Sequence, residues 1–448
     1  MHPARLIILS FATGIFLGAI LLKLPISTYG KPLALVDAFF TAASAICVTG
    51  LVVVDTGTKF TPFGQWVILA LIQIGGLGIM VFSMFFVLLF GKNLSLRDRF
   101  IAKESLLGQI SFANLFSLLK NILAITITVE FLGMFMLFLR FRQIYPLEHA
   151  WYNALFHSIS AFCNAGFSLY SDSLTRYAGD PVINGTVSML IILGGLGFPV
   201  LYELLTLLVR TVRRQQFKLS LHGKIVFIST LFLLISGTLL IYLFEYANPL
   251  HHEEGGITVL EAFFQSVTAR TAGFNTIQID YLTNPTVFII IVLMFIGGAP
   301  ASTAGGIKVT TFFIFLALLK RLFSGRDNVE VFQRTIPKDI VYKVLAIIMG
   351  SMFLIIFINI LLQITETGFM PHNSVAGSFL ETLFETVSAF GTVGLSTGIT
   401  PSLTDAGKCI IMVTMLIGRI GPMTFALALV KQTDKKNFAY PEDSAMVG

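Results

Sequence analysis

The chain has 448 residues, of which 55% are hydrophobic and only 12% are charged, and its mean hydropathy is +0.84. These values exclude a soluble domain with a solvated surface, and the formal net charge of +6 requires no nucleic acid, because the positive-inside bias of membrane proteins accounts for it. Crossing a hydrocarbon core of about 30 Å takes roughly 18 to 25 apolar residues, and several stretches reach that length. The sequence therefore predicts an all-α integral membrane protein in a lipid bilayer.

Eight apolar segments are predicted to cross the membrane, and four shorter ones are predicted to re-enter it. The long segments lie near residues 4–24, 64–90, 116–139, 183–209, 224–244, 286–319, 340–363 and 407–430. The first is interpreted as a retained helix, since a Lys-Leu-Pro sequence follows it and not the small residues of a signal-peptide cleavage site. The short segments, near 34–49, 148–165, 258–272 and 378–393, are too short to cross and too apolar for solvated loops.

The short segments share a pattern in which a glycine follows a phenylalanine by ten residues. They read FTAASAICVTGL (40–51), FHSISAFCNAGF (156–167), FFQSVTARTAGF (263–274) and FETVSAFGTVGL (384–395), aligned on Phe40, Phe156, Phe263 and Phe384. Each following span carries a second glycine cluster, near 75–78, 194–197, 297–300 and 418–421. The repetition predicts four M1-P-M2 repeats (span, pore helix, span) around a pseudo-fourfold central pore, with boundaries 1–92, 93–215, 216–325 and 326–448.

The shared glycines, Gly50, Gly166, Gly273 and Gly394, point to a cation pathway. Irregular backbone at membrane depth must be buried in protein or line a water-filled path. Carbonyl oxygens select cations by replacing their hydration shell, and glycine permits the backbone angles that this requires. The C-terminal dipoles of the short helices favour a cation over an anion. The alternative is that these glycines serve helix packing. Four glycines in register favour a filter, whereas the second clusters are interpreted as packing sites or hinges.

The motifs CVTGL, CNAGF, RTAGF and GTVGL resemble the four filter segments of the Trk/Ktr/HKT superfamily of potassium transporters, and the resemblance covers the whole chain. The chain has eight predicted spans and lacks the additional N-terminal helix pair of the longer Trk subunit. In this respect it resembles the Ktr membrane subunit more closely. The resemblance implies a short, potassium-selective filter that binds K⁺ at its glycines; some sodium-transporting plant relatives have serine where this chain has Gly50. The implied filter residues are Val48, Thr49, Gly50, Asn164, Ala165, Gly166, Thr271, Ala272, Gly273, Thr392, Val393 and Gly394.

A small, flexible stretch, GGAPASTAGGIKVTT (297–311), interrupts the sixth apolar span and predicts a break in its helix. By resemblance this stretch is an intramembrane loop that obstructs the path beneath the filter and moves on gating; the alternative is a buried kink between helices. The implied gating residues are Gly297, Gly298, Ala299, Pro300, Ala301, Ser302, Thr303, Ala304, Gly305, Gly306 and Lys308. Lys308 is expected to face the cavity or the cytoplasmic end, because a lysine in lipid is costly.

Arg419 stands where the other repeats have glycine, and Glu381 or Glu385 is its expected partner. By resemblance it lies near the pore and tunes cation entry; the alternative is a structural ion pair that braces the filter helix. Arg270, three residues before its filter glycine, is expected to brace the loop. A metal site at 251–254 (HHEE) is not expected, because no further ligands accompany it.

Basic residues concentrate in the loops near 92–103, 210–224 and 320–343 and after the last span, which predicts that both termini are cytoplasmic. The resemblance implies that the membrane is the plasma membrane of a bacterium. The chain has no GxxxxGK[ST] motif, so no cofactor is expected in it. The resemblance implies a cytosolic, nucleotide-binding regulatory ring of the RCK type (KtrA-like) and a homodimeric membrane part. The expected function is potassium uptake through a gated pore, with Na⁺ dependence left open.

Three other classes of protein were weighed against this one. A secondary cation symporter with a midplane substrate site is the main alternative, and four parallel repeats around one axis argue against it. An intramembrane enzyme would need paired acids or a nucleophile, whereas Glu130 and Glu203 are interpreted as isolated. A voltage-gated channel would need a regular arginine series in one span, and none is present.

Overall fold

A computed structural model describes residues 3–90, 115–212, 214–215, 218–246, 248, 257–325, 327–375 and 377–429, and these residues are mostly helical. The first part contains α1 (Pro3–Lys23), α2 (Leu35–Ile46), α3 (Thr56–Lys59), α4 (Pro62–Phe90), α5 (Leu115–Phe141), α6 (Leu147–Phe162), α7 (Pro181–Leu196) and α8 (Phe198–Val212). The second part contains α9 (Leu221–Glu245), α10 (Val259–Thr268), α11 (Asn284–Phe295), α12 (Val309–Phe323), α13 (Lys338–Glu366), α14 (Ser378–Gly391), α15 (Asp405–Ile420) and α16 (Pro422–Leu429). An antiparallel hairpin of β1 (Glu330–Val331) and β2 (Arg334–Thr335) precedes α13.

Three described helices are long and apolar enough to cross a membrane, namely Lys120–Phe141, Leu221–Glu245 and Lys338–Glu366. The pair α7 and α8 adds a fourth candidate span, which is bent by 108°. The other four predicted spans coincide with α1, with α4 and with the interrupted pairs α11–α12 and α15–α16. The number of crossings stays a prediction. The prediction of helical spans separated by short helices agrees with the order of elements.

Four short helices, α2, α6, α10 and α14, lie where re-entrant segments were predicted. They contain 12, 16, 10 and 14 residues. At about 1.5 Å per residue they extend roughly 15 to 24 Å, which is less than a bilayer core of about 30 Å. Each one ends just before a shared glycine, so it directs its C-terminal dipole toward that glycine.

The predicted break in the sixth span is confirmed, because α11 ends at Phe295 and α12 begins at Val309. Two further breaks were not predicted, at Gly197 (φ 83°) between α7 and α8 and at Gly421 (φ 94°) between α15 and α16. Glycine accommodates a positive φ, and a proline within two residues after each break lacks the N–H that a continuous helix would need.

Hydrogen bonds between side chains and helix ends (hereafter clasps) join consecutive long helices. They lie on the side where the short helices begin. Glu245, the last residue of α9, accepts hydrogen bonds from the backbone N–H and the hydroxyl of Thr283, both at 2.9 Å. Glu366, the last residue of α13, accepts from the same two groups of Thr404 at 3.0 and 2.7 Å. Since Thr283 and Thr404 are the N-caps of α11 and α15, each glutamate closes its helix pair over a short helix.

The second helix pair uses an aspartate for the same purpose. Asp180 is the N-cap of α7, accepts from the N–H groups of Val182 and Ile183, and is bridged by Arg140 Nε at 2.6 Å. Partial burial raises the pKa of Asp180, but the hydrogen bonds from Arg140 and the backbone outweigh burial and hold that pKa below its ordinary value. The carboxylate is therefore ionised, as the clasp requires.

Candidate functional site: a ring of glycine segments

The four glycine segments (48–50, 164–166, 271–273 and 392–394) share one backbone conformation. The residue two before each glycine has a positive φ, which is 56° at Val48, 59° at Asn164, 75° at Thr271 and 49° at Thr392. The glycines themselves have φ values of 91°, 69°, 79° and 91° in the same order. A positive φ is rare for a β-branched residue and costs on the order of 1–3 kcal/mol. Three of the four residues are β-branched and therefore strained, and the conformation repeated at all four positions indicates a functional segment.

The four shared glycines follow one another in a closed ring. A Cβ atom added to any of them would lie within 2.7 Å of a backbone carbonyl oxygen in the next segment. Around the ring, Gly50 faces the carbonyl of Ala165, Gly166 that of Ala272, Gly273 that of Val393, and Gly394 that of Thr49. These close contacts are with neighbouring glycine segments and not with helix faces. The twelve residues predicted for the filter therefore lie together, with no room for a side chain at the glycine positions.

Backbone hydrogen bonds connect each short helix to its glycine segment. Three of them join residues five apart, from the N–H groups of Thr49, Ala165 and Val393 to the carbonyls of Ser44, Ser160 and Ser388, each at 2.8 Å. In the third segment the bond from Ala272 N–H reaches Thr268, only four residues back, at 2.9 Å. The third segment is therefore one residue shorter than the other three.

This difference corrects one part of the alignment. The phenylalanines four residues before Ser44, Ser160 and Ser388 are Phe40, Phe156 and Phe384, and all three are fully buried. Four residues before Thr268 stands Phe264, which is also fully buried, whereas Phe263 is only partly buried. The alignment on Phe263 is therefore wrong: the equivalent residue is Phe264, and the Phe-Phe doublet concealed the missing residue.

The loop between α11 and α12 (296–308, hereafter the interhelical loop) lies directly against the glycine segments. The Thr303 hydroxyl donates to the carbonyl of Phe162, the last residue of α6, at 3.2 Å. The N–H groups of Ala299 and Thr303 donate to the carbonyls of Gly195 and Gly194 at 2.9 and 3.2 Å. On the other side, a Cβ at Gly305 would collide with Thr392 of the fourth segment. The residues predicted for gating therefore span from the second segment to the fourth.

Two basic side chains hold the interhelical loop. Arg419 is buried, with 3% of its surface exposed, and it donates to the carbonyl of Thr303 and to that of Gly75 in α4, the latter at 2.5 Å. Lys308 donates to the carbonyls of Ala304 and Gly305 at 2.8 and 3.4 Å, so its ammonium group turns back into its own loop.

The predicted carboxylate partner of Arg419 is wrong. In the described part of the chain Arg419 pairs with neither Glu381 nor Glu385, and its acceptors are backbone carbonyls instead. Carbonyls were not anticipated because the interhelical loop and α4 are remote from Arg419 in sequence. Arg270 does contact the loop as expected, since it donates to the carbonyl of Gly297 at 3.4 Å.

A family model described as TrkH, cation transport protein, matches residues 8–440 of the chain. The chain belongs to the TrkH family of cation transport proteins. Membership of a transport family agrees with the prediction that the chain is not an enzyme. Together with the long apolar helices, it makes this TrkH-family chain a multi-pass membrane protein.

Curated relatives match this TrkH-family protein over its full length. The Ktr system potassium uptake protein B of Bacillus subtilis (strain 168) is 42% identical over 449 residues, which cover 100% of this chain and 97% of that protein. Its namesake from Vibrio alginolyticus is 42% identical over 448 residues, covering 99% and 94%. The potassium/sodium uptake protein NtpJ of Enterococcus hirae is 36% identical over 453 residues, covering 100% and 98%.

A solved structure of the same family is similar in fold. The crystal structure of the potassium transporter TrkH from Vibrio parahaemolyticus has a TM-score of 0.71 against this chain, at 20% sequence identity. The match covers 94% of this chain and 83% of that one. At this identity the similarity establishes the shared fold alone.

The second glycine clusters of this TrkH-family chain pack against the ends of the short helices. A Cβ at Gly75, Gly194 or Gly418 would collide with the carbonyl of Ile46, Phe162 or Phe390, respectively, at the C-terminal end of α2, α6 or α14. These three glycines are therefore packing sites, one of the two roles expected for the second clusters. Gly197 and Gly421 stand where the helices break, which is the position expected of a hinge.

Several polar contacts were not predicted from the sequence. Glu130, interpreted as isolated, accepts from Gln73 Nε2 at 3.1 Å, which links α5 to α4. Glu203 accepts from the N–H of Ser220 at 3.2 Å. Lys408 of α15 bridges Asp37 of α2 at 2.7 Å and so joins the last long helix pair to the first short helix. Their partners are remote in sequence, so no local pattern identified them.

The histidines and glutamates at 251–254 lie outside the described residues. Within the described part of the chain, no group of three or more His, Cys, Asp and Glu side chains is arranged to hold a metal ion. The atoms that the four filter glycines approach in the next segments are backbone carbonyl oxygens.

Proposed function

We propose that this chain is the potassium-translocating subunit of a bacterial uptake system and that K⁺ passes through the ring of glycine segments. The observation that carries the proposal is the closed succession of Gly50, Gly166, Gly273 and Gly394, each against a carbonyl of the next segment. Carbonyl oxygens grouped in this way replace the hydration shell of a cation, and four short-helix C-termini add favourable dipoles. The names of the full-length relatives, which include potassium uptake proteins, support the choice of ion.

The proposed architecture is four M1-P-M2 repeats (1–92, 93–215, 216–325 and 326–448) with pseudo-fourfold symmetry about the pore. Each repeat has one short helix and one glycine segment, and the cyclic order of the glycine contacts supports the symmetry. The filter consists of residues 48–50, 164–166, 271–273 and 392–394, with K⁺ bound at the glycines. A single glycine per segment makes this filter short.

The interhelical loop is the proposed gate. Its residues 297–306 and Lys308 lie between the second and fourth glycine segments, and Arg419 ties Thr303 to α4. A loop held by individual hydrogen bonds can leave the path when a few of them break, which is one of the known kinds of switching transition. Arg419 is thus proposed to act as a buried cation close to the pathway, and it braces the interhelical loop through backbone carbonyls and not through the ion pair with the filter helix that was the alternative.

The chain is proposed to lie in the bacterial plasma membrane with both termini in the cytoplasm, because the basic loops face the side opposite the glycine segments in the predicted topology. By family resemblance we propose a homodimer that docks on a cytosolic, nucleotide-binding regulatory ring of the RCK type. The relative named a potassium/sodium uptake protein supports testing for Na⁺ dependence in this chain.

Rescue of a K⁺-uptake-deficient bacterium at limiting K⁺ tests the proposal. The chain is expressed with a cognate regulatory subunit, alongside Gly273→Asp, and the amount of each protein in the membrane is measured. Growth with the wild type and none with Gly273→Asp is the expected result. Failure of the well-expressed wild type would favour a symporter with another substrate, and equal rescue by both would remove the third segment from the pathway.

A further inference from the structure

Each short helix carries a polar residue directly after its fully buried phenylalanine. These four residues are Thr41, His157, Gln265 and Glu385, and at most 2% of each is exposed. Gln265 is equivalent to the other three only when the third repeat is aligned on Phe264. An alignment on Phe263 does not show this. A polar side chain buried at the same place in all four repeats must find a partner there or remain unsatisfied, which is unfavourable.

In the second repeat this residue contacts the chain just beyond the filter glycine. His157 Nε2 lies 3.0 Å from the hydroxyl oxygen of Ser168, two residues after Gly166. The other ring nitrogen, Nδ1, lies 2.8 Å from the carbonyl of Asn153, which can only accept, so Nδ1 carries the proton. In the neutral ring Nε2 is then an acceptor for the Ser168 hydroxyl, and its distance of 3.0 Å is shorter than the 3.3 Å to the other acceptor of that hydroxyl, the carbonyl of Ser173.

The fourth repeat has the same arrangement with different chemistry. The hydroxyl of Ser396, two residues after Gly394, donates to Glu385 Oε1. The second carboxylate oxygen, Oε2, accepts from the Thr400 hydroxyl at 3.1 Å. In both repeats, therefore, a serine two residues after the filter glycine donates to a buried acceptor on the short helix.

The first and third repeats lack this contact. The Thr41 hydroxyl donates to the carbonyl of Asp37 in its own helix at 2.8 Å, and Val52 stands at the serine position. In the third repeat Asn275 stands at the serine position, and within the described residues neither polar atom of Gln265 has a hydrogen-bond partner. The order of the glycine ring puts the second and fourth segments opposite each other. The two bonded segments therefore face each other across the ring.

We infer that the two contacts, His157–Ser168 and Glu385–Ser396, are specificity-determining clamps that hold opposite sides of the filter at the separation that suits K⁺. The inference rests on the proposed function. In the size-based account of selectivity, the filter discriminates against the smaller Na⁺ because its carbonyls cannot close in around that ion. A bond from the segment just beyond the glycine to the rigid short helix resists that movement. His157, Glu385 and the two serines act as positioning residues, since they do not contact the ion.

Ion selectivity of the full chain with its regulatory subunit, reconstituted in liposomes, tests the clamps. Uptake of ⁸⁶Rb⁺ and ²²Na⁺ is compared for the wild type, Ser168→Ala, Ser396→Ala and the double variant. Each alanine removes a donor to a buried acceptor, so we expect the Rb⁺/Na⁺ uptake ratio to fall about three- to tenfold per variant, and further in the double variant. Ser396→Thr keeps the hydroxyl and is expected to retain the wild-type ratio.

Thr41→Val is the control, because it removes the polar group at the position equivalent to His157 and Glu385 in a repeat whose hydroxyl bonds only within its own helix. Its ratio should stay at the wild-type value. Unchanged ratios in both alanine variants, with normal Rb⁺ uptake, would overturn the inference, and so would an equal loss in Thr41→Val, which would indicate general packing of the short helices. If Ser396→Ala does not reach the membrane, Ser168→Ala decides alone. A wild type that takes up no Rb⁺ would instead refute the proposed function.

Discussion

Replacing Gly394 by alanine is the sharpest perturbation of the glycine ring, because a matched control lies four residues away. Gly394 and Gly398 both have φ of 91°. The Cβ of Gly394→Ala would approach backbone atoms of Thr49 and Gly50, whereas that of Gly398→Ala would meet only the Asp280 carboxylate, no closer than 3.7 Å. The two variants thus share the same backbone strain and differ in the collision with the ring.

The expected free-energy costs of the two variants differ. Backbone strain costs on the order of 1–3 kcal/mol in each. Collision with backbone adds roughly 1–3 kcal/mol in Gly394→Ala, as overpacking does elsewhere. The sum of about 2–6 kcal/mol opposes the native ring geometry, and at ~1.4 kcal/mol per factor of ten even the lower figure reduces the equilibrium constant between the native ring and alternative geometries about 25-fold. Gly394→Ala should therefore abolish most K⁺ uptake, while Gly398→Ala retains a substantial part of it.

Initial rates of K⁺ uptake in cells depleted of K⁺ provide the assay, normalised to the amount of each protein in the membrane. Wild-type rates in Gly394→Ala at equal amounts would refute the steric reasoning, since a side chain would then fit in the ring. Equal loss in both variants would assign the effect to backbone strain and not to the carbonyl contacts.

Four further changes test other parts of the structure. Gly50→Ser should lower K⁺ uptake, as Gly394→Ala does, and weaken discrimination between K⁺ and Na⁺ in the uptake that remains, because its side chain meets the Ala165 carbonyl; competition by Na⁺ in uptake assays measures this. Deletion of residues 299–307 should raise K⁺ flux by removing the interhelical loop from the path, measured as uptake without the regulatory subunit. Arg419→Gln removes charged hydrogen bonds that contribute about 1.5–3 kcal/mol each and should raise the same unregulated flux severalfold. Lys408→Met leaves the Asp37 carboxylate unpaired and should lower the melting temperature, and the double variant with Asp37→Asn should recover part of the loss.

Each of these predictions has an outcome that contradicts it. Unaltered competition by Na⁺ would remove Gly50 from the filter. Unregulated flux that stays at the wild-type level in the deletion and in Arg419→Gln would mean that the loop does not obstruct the path. A double variant as unstable as Lys408→Met alone would show that the lost cation, and not the unpaired carboxylate, causes the instability.

The positions of the helices and of the shared glycines could be predicted from the sequence, because both depend on local patterns. Apolar length identifies the long helices, and a glycine at a fixed distance from a short helix identifies each segment. The two unpredicted helix breaks also have a local signal, a proline shortly after the glycine cluster in GGLGFP and GRIGP, which the first cluster, GGLGIM, lacks. The continuous α4 agrees with that difference.

What the sequence could not provide are the contacts between remote residues. Arg419 binds carbonyls more than one hundred residues away, and backbone acceptors leave no pattern in the sequence. The Phe263 alignment failed for another reason: with two adjacent phenylalanines, constant spacing to the glycine favoured the wrong one, and only the hydrogen-bond pattern reveals the shorter third segment.

The central claim is that a monovalent cation binds in the ring of glycine segments. A structure of the purified protein in Tl⁺ or Rb⁺, with the ion located by its anomalous signal, tests it most directly. The account predicts ion density on the ring axis, coordinated by carbonyls of residues such as Thr49, Ala165, Ala272 and Val393. Ion density absent from the ring but present beside the broken helices near the interhelical loop would contradict it and favour a transport site at the helix breaks.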